Sequence, residues 1–489
     1  MTHLHAAPSP DLAEGPDVAD VVRSGAFSTR VQPVVECESG RLVGYEAVQR
    51  VEGDSTLSDP IALTEAVAAH PAADVVRSGA FSTRVQPVVE CESGRLVGYE
   101  AVQRVEGDST LSDPIALTEA VAAHPAAGEL DTARRRHAME AVAALGFGHS
   151  DYTRVFLDAC AESFETLPDD DWLRERLVLQ LDSLRVLTHP ATSLRVAEQA
   201  RRHGWTVALR AVGATPATLA TLPLLDPEVV RLDASVLHSR DLRHQADVLH
   251  AVRAHTAATG SLVLAEGVTT PADEGTVRML GAHLAAGPLY DPHGERAGAR
   301  GGLTAMLGGR AAALLETHDS PYTLVTRKHS PRMADKRFLV ELSKTLEAQA
   351  LDADGAAIVL SSFQDVRHLT PSTIGRYEQL SRTGSLVAML GTGVDTPPVA
   401  GARHAPLDPA DPLQREWTLV VITPTWATLL TAHDFGDTGR PEGDRRFNFV
   451  LTHDRDLAVA ASRSLLSRVW EGHQDPRPRR VGRRRRMVS

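Results

Sequence analysis

The sequence is short of cysteine and of long apolar runs, and both shortages limit where the protein can work. Three of the 489 residues are cysteines, and two of them, Cys37 and Cys91, occupy equivalent places in a repeated segment. So few cysteines cannot form a disulfide framework, which predicts a reducing, cytoplasmic environment. No run of about 18 apolar residues occurs, so no membrane span is expected. The first residues, MTHLHAAPSPDLAEGPD, lack the basic and apolar regions of a secretory signal.

Lysine is scarce as well, and arginine carries nearly all of the positive charge. Lysine occurs only at Lys328, Lys336 and Lys344, and the formal net charge is −12. An excess of negative charge argues against broad nucleic-acid binding. The exception is the C-terminal tail, where seven arginines lie between Arg477 and Arg486. Such a tail can contact an anionic lipid, a nucleic acid or an acidic partner, although a solvated, disordered end is the simpler interpretation.

A perfect tandem repeat occupies much of the N-terminal quarter of the chain. Residues 19–73 are identical to residues 73–127, at an offset of 54 positions. Each copy contains two valine-rich segments around a Glu-Ser-Gly-Arg turn, which predicts a β-hairpin. The second copy leads directly into a helical segment, predicted at residues 129–145, whereas use of the first copy would loop out the second. We therefore predict that the second copy belongs to the fold and that the first is an extra copy.

Short apolar strands alternate with helical segments from about residue 153 to residue 290. The predicted strands are Arg154–Leu157, Leu177–Leu181, Thr206–Leu209, Val229–Leu232 and Leu262–Ala265, and the predicted helices are Ser193–His203, Thr215–Leu222, Leu242–Thr256 and Ala272–Leu280. This alternation is typical of βα units with parallel strands, and the number of units favours a closed barrel. Active sites in such barrels lie at the C-terminal ends of the strands.

The hairpin of the second copy contains Gln86-Pro87, then Gly98-Tyr99-Glu100-Ala101-Val102, and Arg104 two residues later. This segment resembles the opening of the EAL family, the phosphodiesterases that linearise the bacterial messenger cyclic dimeric GMP (c-di-GMP). The resemblance continues along the strand ends to about residue 290. It implies a TIM-like (β/α) barrel in which strand-end carboxylates and amides hold two divalent metal ions for phosphodiester hydrolysis.

The remaining positions of the family site are only partly kept. Asp158 stands where the family has an Asn ligand, and Gln180 stands where it has a Glu. Arg210 occupies the first of two lost aspartate positions, and Arg231 replaces the catalytic Lys. An Arg repels a dication and cannot release its proton at neutral pH. Glu266 is retained in an Ala-Glu-Gly-Val run, whereas the Gln of a late Gln-Gly segment is lost before Gly287.

These departures predict a degenerate barrel and leave three interpretations open. The retained residues Glu100, Asp233 and Glu266 can serve only in hydrogen bonds at the barrel rim, which is the simplest interpretation. Alternatively, a pseudoenzyme binds a nucleotide such as c-di-GMP, with the phosphate-facing donors Gln86, Arg104, Arg210 and Arg231. No cofactor is then expected. In an active phosphodiesterase, Glu100, Asp158 and Glu266 would hold Mg²⁺ or Mn²⁺.

A second αβ pattern begins near Pro321. An amphipathic helix is predicted at residues 335–350, strands at 356–360, 385–390, 417–422 and 447–451, and a last helix at 456–470. The opening helix, the Val359-Leu360-Ser361-Ser362-Phe363-Gln364 strand end and the Trp417 strand resemble the DICT domain, a presumed sensory module of cyclic-dinucleotide and two-component signalling proteins. No ligand set is visible in the sequence of this region.

The fold class predicted is therefore α/β, with a TIM-like (β/α) barrel of EAL type and a second, smaller α/β sensor domain. The predicted domain order is a disordered N-terminus (1–18), the extra copy (19–72), the barrel (73–290), a linker (291–320), the DICT-like sensor (321–472) and the Arg-rich tail (473–489). The predicted function is regulation in c-di-GMP signalling, through a nucleotide or a protein partner. A homodimer is an implication of the resemblance.

Overall fold

The computed structural model describes residues 27–35, 42–51, 81–105, 121, 127–143, 154–158, 176–290, 303, 306–307, 319–408, 410–437 and 439–469. The predicted disordered N-terminus, most of the linker and the Arg-rich tail lie outside these residues. The described chain falls into two compact units. One contains residues 1–85, 101–146 and 162–168, and the other contains residues 86–100, 147–161 and 169–489.

Eight strands form a closed barrel, as the alternation predicts. In barrel order they are β10 (Leu284–Ala286), β3 (Phe81–Glu90), β4 (Leu96–Val105), β5 (Arg154–Asp158), β6 (Leu177–Asp182), β7 (Thr206–Val212), β8 (Val229–Leu232) and β9 (Leu262–Ala265). Strand β3 is antiparallel to β10, and the register from β4 to β10 is parallel throughout. The C-terminal ends of seven strands therefore meet at one rim.

Helices follow the barrel strands. They are α1 (Ala127–Ala143), α2 (Ser183–Thr188), α3 (Pro190–Arg202), α4 (Pro216–Leu225), α5 (Ala234–Leu237), α6 (Leu242–Thr259) and α7 (Pro271–Met279). Several begin where the sequence supplies a cap. The Asp241 side chain accepts hydrogen bonds from the first backbone amides of α6, and Thr270 and Asp273 form a reciprocal capping box at α7. These caps satisfy donors that a helix start otherwise leaves unpaired.

The two copies of the repeat have different places in the structure. The hairpin of the second copy supplies β3 and β4 of the barrel, whereas β1 (Phe27–Val35) and β2 (Leu42–Val51) of the first copy pair with each other in a separate two-stranded antiparallel sheet. Identical sequences thus form a hairpin twice, but only one hairpin is in the barrel.

The second α/β domain is built on a seven-stranded mixed sheet. Its strands, in sheet order, are β11 (Arg332–Asp335), β17 (Arg446–Thr452), β16 (Ala427–Asp434), β15 (Glu416–Ile422), β12 (Ile358–Asp365), β13 (Leu386–Thr392) and β14 (Arg403–Pro406). The pairs β12–β13 and β13–β14 are parallel, and the other neighbours are antiparallel. The predicted second α/β domain is therefore present, although β11, β14 and β16 were not predicted.

Helices cover both faces of this sheet. Its helices are α8 (Pro321–Thr326), α9 (Lys336–Leu351), α10 (Pro371–Arg382) and α11 (Arg455–Leu466). Leu339 of α9 and Tyr377 of α10 pack in one core with Val359 and Leu419 of the sheet. Alternate residues of each strand point to the opposite face, which α8 and α11 cover.

Helix α11 of the sensor domain also contacts helices α3 and α4 of the barrel. Arg463 of α11 donates from Nε and Nη2 to the carbonyl oxygen of Leu224, at 3.0 and 2.8 Å. This carbonyl lies in the last turn of α4, where no helical donor is available. Burial, and then the charge of Arg201, lower the pKa of Arg463 to about 10, so it stays protonated at neutral pH. None of the helices in the described ranges has the length and apolar composition needed to cross a membrane.

Candidate functional site

The candidate site lies inside the barrel rim, where strand alternation positions the side chains. Phe156, Val178, Ala208, Val229 and Leu264 belong to the buried cluster of the barrel. Side chains two residues apart on a strand point to the same face. The residues two positions further on are therefore brought together at the C-terminal rim, and they are Asp158, Gln180, Arg210, Arg231 and Glu266.

Arg231 is the centre of the site. Its Nη1 and Nη2 donate to the two carboxylate oxygens of Glu100, the second at 3.0 Å, and its Nε donates to Glu266. Nη1 also donates to Oε1 of Gln180 at 2.5 Å. The Arg231 side chain is 9% exposed and that of Glu100 is 6% exposed, so this is a buried ion pair. Such a two-pronged arrangement uses the planar geometry that distinguishes Arg from Lys.

Arg210 forms a second cationic centre nearer the rim. Its Nη1 lies 3.3 Å from Oδ2 of Asp158, and its Nη2 lies 3.0 Å from Oδ2 of Asp182. The amide of Gln180 joins the two centres, since its Nε2 donates to Oδ1 of Asp158 at 3.2 Å and to Oε1 of Glu100 at 3.3 Å. Two guanidinium groups thus lie among four carboxylates.

The electrostatics of this network keep both arginines charged. Burial lowers the pKa of Arg231, but the carboxylates of Glu100 and Glu266 raise it by more, so the pKa is above its ordinary value. Burial likewise lowers the pKa of Arg210, and the charges of Asp158 and Asp182 raise it above its ordinary value. Neither group can serve as a general base, because an Arg side chain does not lose its proton in proteins.

The residues of the site do not fit a divalent metal ion in this arrangement. Glu100, Asp158 and Glu266 would be its oxygen ligands, but each is already hydrogen-bonded to Arg231 or Arg210. A dication would be repelled by the guanidinium groups at contact distance. Across the described ranges, no group of three or more His, Cys, Asp or Glu side chains is arranged to hold a metal ion.

The other predicted site residues have separate positions. Gln86 lies on β3, two residues beyond the pair that Val88 makes with Ala286, so it is near the C-terminal rim. Asp233 caps the short helix α5, where its Oδ1 accepts from the amide of Ser235 at 2.9 Å. The backbone of Arg104 lies in β4, but its side chain is outside the described parts of the chain.

Asp182 is a site residue that the sequence analysis missed. It ends β6 two positions after Gln180, and its other oxygen accepts from the amide of Leu184 at 2.8 Å. The alternation in Leu-Gln-Leu-Asp already placed it on the same face as Gln180. The neighbouring backbone is unusual too. Ala211 has a φ of 57°, and the β7–β8 register shifts between Leu209 and Val212.

Two family models match the chain. The EAL domain model matches residues 71–293. The model of DICT, the sensory domain in diguanylate cyclases and two-component systems, matches residues 320–434. The first of these begins in the second copy of the repeat, the copy whose hairpin lies in the barrel.

Individual relatives are more distant. An uncharacterized protein of Azorhizobium caulinodans is 24% identical over an alignment of 272 residues, which covers 52% of this chain and 36% of that protein. This chain therefore matches about a third of the length of that relative. Among solved structures, Vibrio cholerae LapD S helix-GGDEF-EAL bound to c-di-GMP is similar at 14% identity and a TM-score of 0.40, over 46% of this chain and 57% of LapD. The Xanthomonas citri FimX EAL domain in complex with c-di-GMP is similar at 17% identity and a TM-score of 0.37, over 46% and 92%.

Proposed function

Because residues 71–293 form an EAL domain and residues 320–434 a DICT sensory domain, we propose that the chain is a c-di-GMP signalling regulator with a non-catalytic barrel. The barrel acts by binding c-di-GMP or a protein partner, under the control of the sensor domain. The proposal includes no metal requirement. We keep a cytoplasmic location and a homodimer as predictions from the sequence.

One observation carries the proposal. The guanidinium group of Arg231 lies between Glu100 and Glu266, hydrogen-bonded to both. Metal-assisted hydrolysis needs those oxygens for a metal ion that activates water. Here a protein cation neutralises them instead and can neither bind water as a Lewis acid nor accept its proton. The same cation stabilises the rim without a metal.

Binding of nucleotide phosphates is proposed for the outer part of the site. The Arg210 side chain is 14% exposed, more than that of Arg231, and Gln86 is half-buried. Arginine donors bind phosphate oxygens in the same way as they bind carboxylates. Arg231 is proposed to organise this surface rather than to contact phosphate, because its donors are engaged by Glu100, Gln180 and Glu266.

Calorimetric titration of the full chain with c-di-GMP, in chelator and without divalent metal, tests the binding claim. Saturable binding is expected, and Gln86→Ala and Arg210→Gln are each expected to weaken it about tenfold, since one charge-assisted hydrogen bond contributes about 1.4 kcal/mol or more. Arg243→Gln is the matched control, because the Arg243 side chain is 87% exposed on α6. If the native chain and the three variants bound c-di-GMP with equal affinity, the nucleotide would not bind at this site. If none bound it, the barrel would act only through a protein partner.

An active phosphodiesterase is the second candidate, because three carboxylates, Glu100, Asp158 and Glu266, do remain at the rim. It requires Arg231 to leave Glu100 and Glu266, and Arg210 to leave Asp158, so that these groups can hold Mg²⁺ or Mn²⁺. Calorimetric titration with Mn²⁺ distinguishes the two candidates. A stoichiometric isotherm that Glu100→Gln abolishes would favour the enzyme, whereas the non-catalytic proposal expects no such isotherm.

A further inference from the structure

The sensor domain contains a large cavity that the barrel site does not use. Its volume is about 1040 Å³. It lies at the C-terminal end of β12, between the first turns of α9 and the start of α10, and it includes Phe363, Gln364 and Thr373. Cavities that hold drug-sized ligands have volumes of about 300–1,000 Å³. The space is therefore large enough for an organic ligand.

The lining of the cavity is basic, although the whole chain is acidic. Six lining side chains are Lys or Arg and three are Glu: Lys336, Arg337, Lys344, Arg367, Arg376 and Arg445 against Glu341, Glu347 and Glu442. The start of α10 also lines it, and the positive end of the dipole of this twelve-residue helix lies there, while the amide of Thr373 is already capped by Oγ1 of Thr370. The excess of cations in the lining favours an anionic ligand, although each cation is also ion-paired, three of them with Asp365, Asp434 and Asp444 outside the lining.

Two buried donors in the lining have no protein partner. Ser343 is 4% exposed and Arg445 is 7% exposed. Neither Oγ of Ser343 nor Nε of Arg445 has a hydrogen-bond partner among the described residues. The two Nη groups of Arg445 are already occupied, by Asp434 and Glu442. Both atoms are fully buried in the wall behind the cavity surface, and buried donors without partners are rare and costly.

Aromatic side chains supply the apolar part of the wall. Phe363 stacks edge-on against Tyr377 at 5.5 Å between ring centres, and Trp417 does so against Phe447 at 6.2 Å. Phe363 and Trp417 also line the cavity. Flat rings in a ligand pack well on such surfaces.

The backbone at the cavity is strained in a way that is common at ligand sites. Gln364 lines the cavity with a φ of 61°, a conformation that side-chain-bearing residues seldom adopt. The pairing of β12 with β13 shifts register between Ser362 and Asp365, on either side of it. Strain and bulges of this kind persist where a site requires them.

We infer that this cavity is the signal-binding site of the sensor domain, and that its ligand is a small organic anion with a flat ring and acceptor oxygens. Aromatic carboxylates and nucleoside monophosphates both have this chemistry. The inference does not depend on what the barrel binds.

Fluorescence titration of the full chain with anilinonaphthalene sulfonate, a ring-bearing anion, tests the inference. One saturable site for the probe is expected. Displacement of the probe by salicylate would indicate an aromatic carboxylate as ligand, and displacement by GMP a nucleoside monophosphate. Inorganic phosphate is expected to displace the probe at least tenfold less well than either. Val340→Trp is designed to fill the cavity and is expected to weaken binding at least tenfold. Gln349→Trp places the same ring at an exposed position on the opposite side of α9, away from the cavity, and is expected to bind as the native chain does.

A second pair of variants covers the case in which Val340→Trp does not fold. Arg367 lines the cavity with a side chain that is 73% exposed, so Arg367→Glu should not disturb packing. It is expected to weaken binding of the probe at least threefold, whereas Arg382→Glu, at a side chain 76% exposed outside the cavity, is expected to have no effect. Binding unchanged in Arg367→Glu, no saturable binding, or displacement by phosphate equal to that by the ring anions would each overturn the inference. Because both variants lie outside the barrel, such a failure leaves the test with c-di-GMP unaffected.

Discussion

At the scale of single residues, the barrel site shows how two arginines replace the groups that a metal site needs. Arg231 and Arg210 bring two positive charges among Glu100, Asp158, Asp182 and Glu266. Removal of one partner from a buried ion pair leaves an uncompensated charge, which costs more than the pair itself contributes. The more buried of the two, Arg231, is therefore expected to be structurally necessary.

Arg231→Met is expected to lower the free energy of unfolding by about 3–5 kcal/mol, because Glu100 would stay buried without a cation. Urea unfolding at neutral pH measures this change. Arg243→Met is the control, since its exposed ion pair with Asp247 should contribute less than about 1 kcal/mol. Equal stability of the two variants would show that the buried network is not needed for folding.

Glu416 gives the sensor domain a pH-dependent stability. Its carboxylate accepts from Oγ of Ser320 and from the amide of Tyr322 at 3.1 Å. Burial raises the pKa of Glu416 from 4.5 to about 6, although these hydrogen bonds oppose the rise. The folded state therefore holds the proton more tightly than the unfolded state. Protonation of Glu416 therefore stabilises the folded state, and this stabilisation is complete below pH 4.5 and is lost as the pH rises to about 6.

Glu416→Gln should remove this dependence, because an amide does not titrate. At about 1.4 kcal/mol per pKa unit, the variant is expected to gain about 2 kcal/mol relative to the native chain between pH 4 and pH 7. Urea unfolding of both proteins at the two pH values measures the difference. A difference that is constant with pH would contradict the raised pKa.

At the scale of elements, the repeat allows a direct comparison of two identical hairpins. Gly98 of β4 has no room for a side chain, because a Cβ there would lie 2.6 Å from the carbonyl oxygen of Arg154 on β5. Gly44 is the same residue of the first copy, and its strand, β2, pairs only with β1 in the described sheets. The close approach between β4 and β5 is therefore a feature of Gly98 in the barrel.

Gly98→Ala is expected to destabilise the barrel by about 1–3 kcal/mol, the usual cost of an overpacked site. Gly44→Ala is the matched control and is expected to change stability by less than about 0.5 kcal/mol. Thermal unfolding followed by circular dichroism compares them. The reverse order of stabilities would mean that the first copy, and not the second, supplies the barrel hairpin.

Most elements of the barrel could be predicted from apolar runs and their alternation with helical segments. Strands β8 and β9 have the predicted ends, whereas β7 continues to Val212 through the unusual backbone at Ala211. Strand β10 has only three residues, too few to show a pattern. The strand-end positions of Asp158, Gln180, Arg210, Arg231 and Glu266 could be predicted, whereas Asp182 was missed. Their ion pairing could not be predicted, because it depends on which side chains face each other across the barrel.

At the scale of the whole molecule, α11 joins the sensor domain to the barrel through a buried cation. Arg463 donates twice to the carbonyl oxygen of Leu224, and Oγ of Ser464 donates to the carbonyl oxygen of Asp319 at 2.6 Å. A change in the sensor domain that moves α11 would therefore act directly on α4 of the barrel. This contact is one physical connection through which the proposed sensor could control the barrel, and Nη2 of Arg403 on β14 makes another with the carbonyl oxygen of Leu187 in α2, at 3.5 Å.

Arg463→Met is expected to weaken the connection, because it leaves the carbonyl of Leu224 buried without a donor, at a cost of about 1–3 kcal/mol. Scanning calorimetry is expected to show the barrel and the sensor domain unfolding together in the native chain and separately in the variant. Arg382→Met, at an exposed side chain of α10, should keep the native profile. An unchanged profile for Arg463→Met would show that the two domains are coupled by other contacts.

The most direct test of the central claim is analysis of c-di-GMP after incubation with the full chain and Mn²⁺. Ion-exchange chromatography separates the cyclic dinucleotide from its linear product. The positions of Arg231 and Arg210 predict that the cyclic form remains intact under conditions in which an active phosphodiesterase converts it completely. Accumulation of the linear dinucleotide, abolished by Glu100→Gln, would contradict the claim and would mean that metal displaces the arginines from the carboxylates.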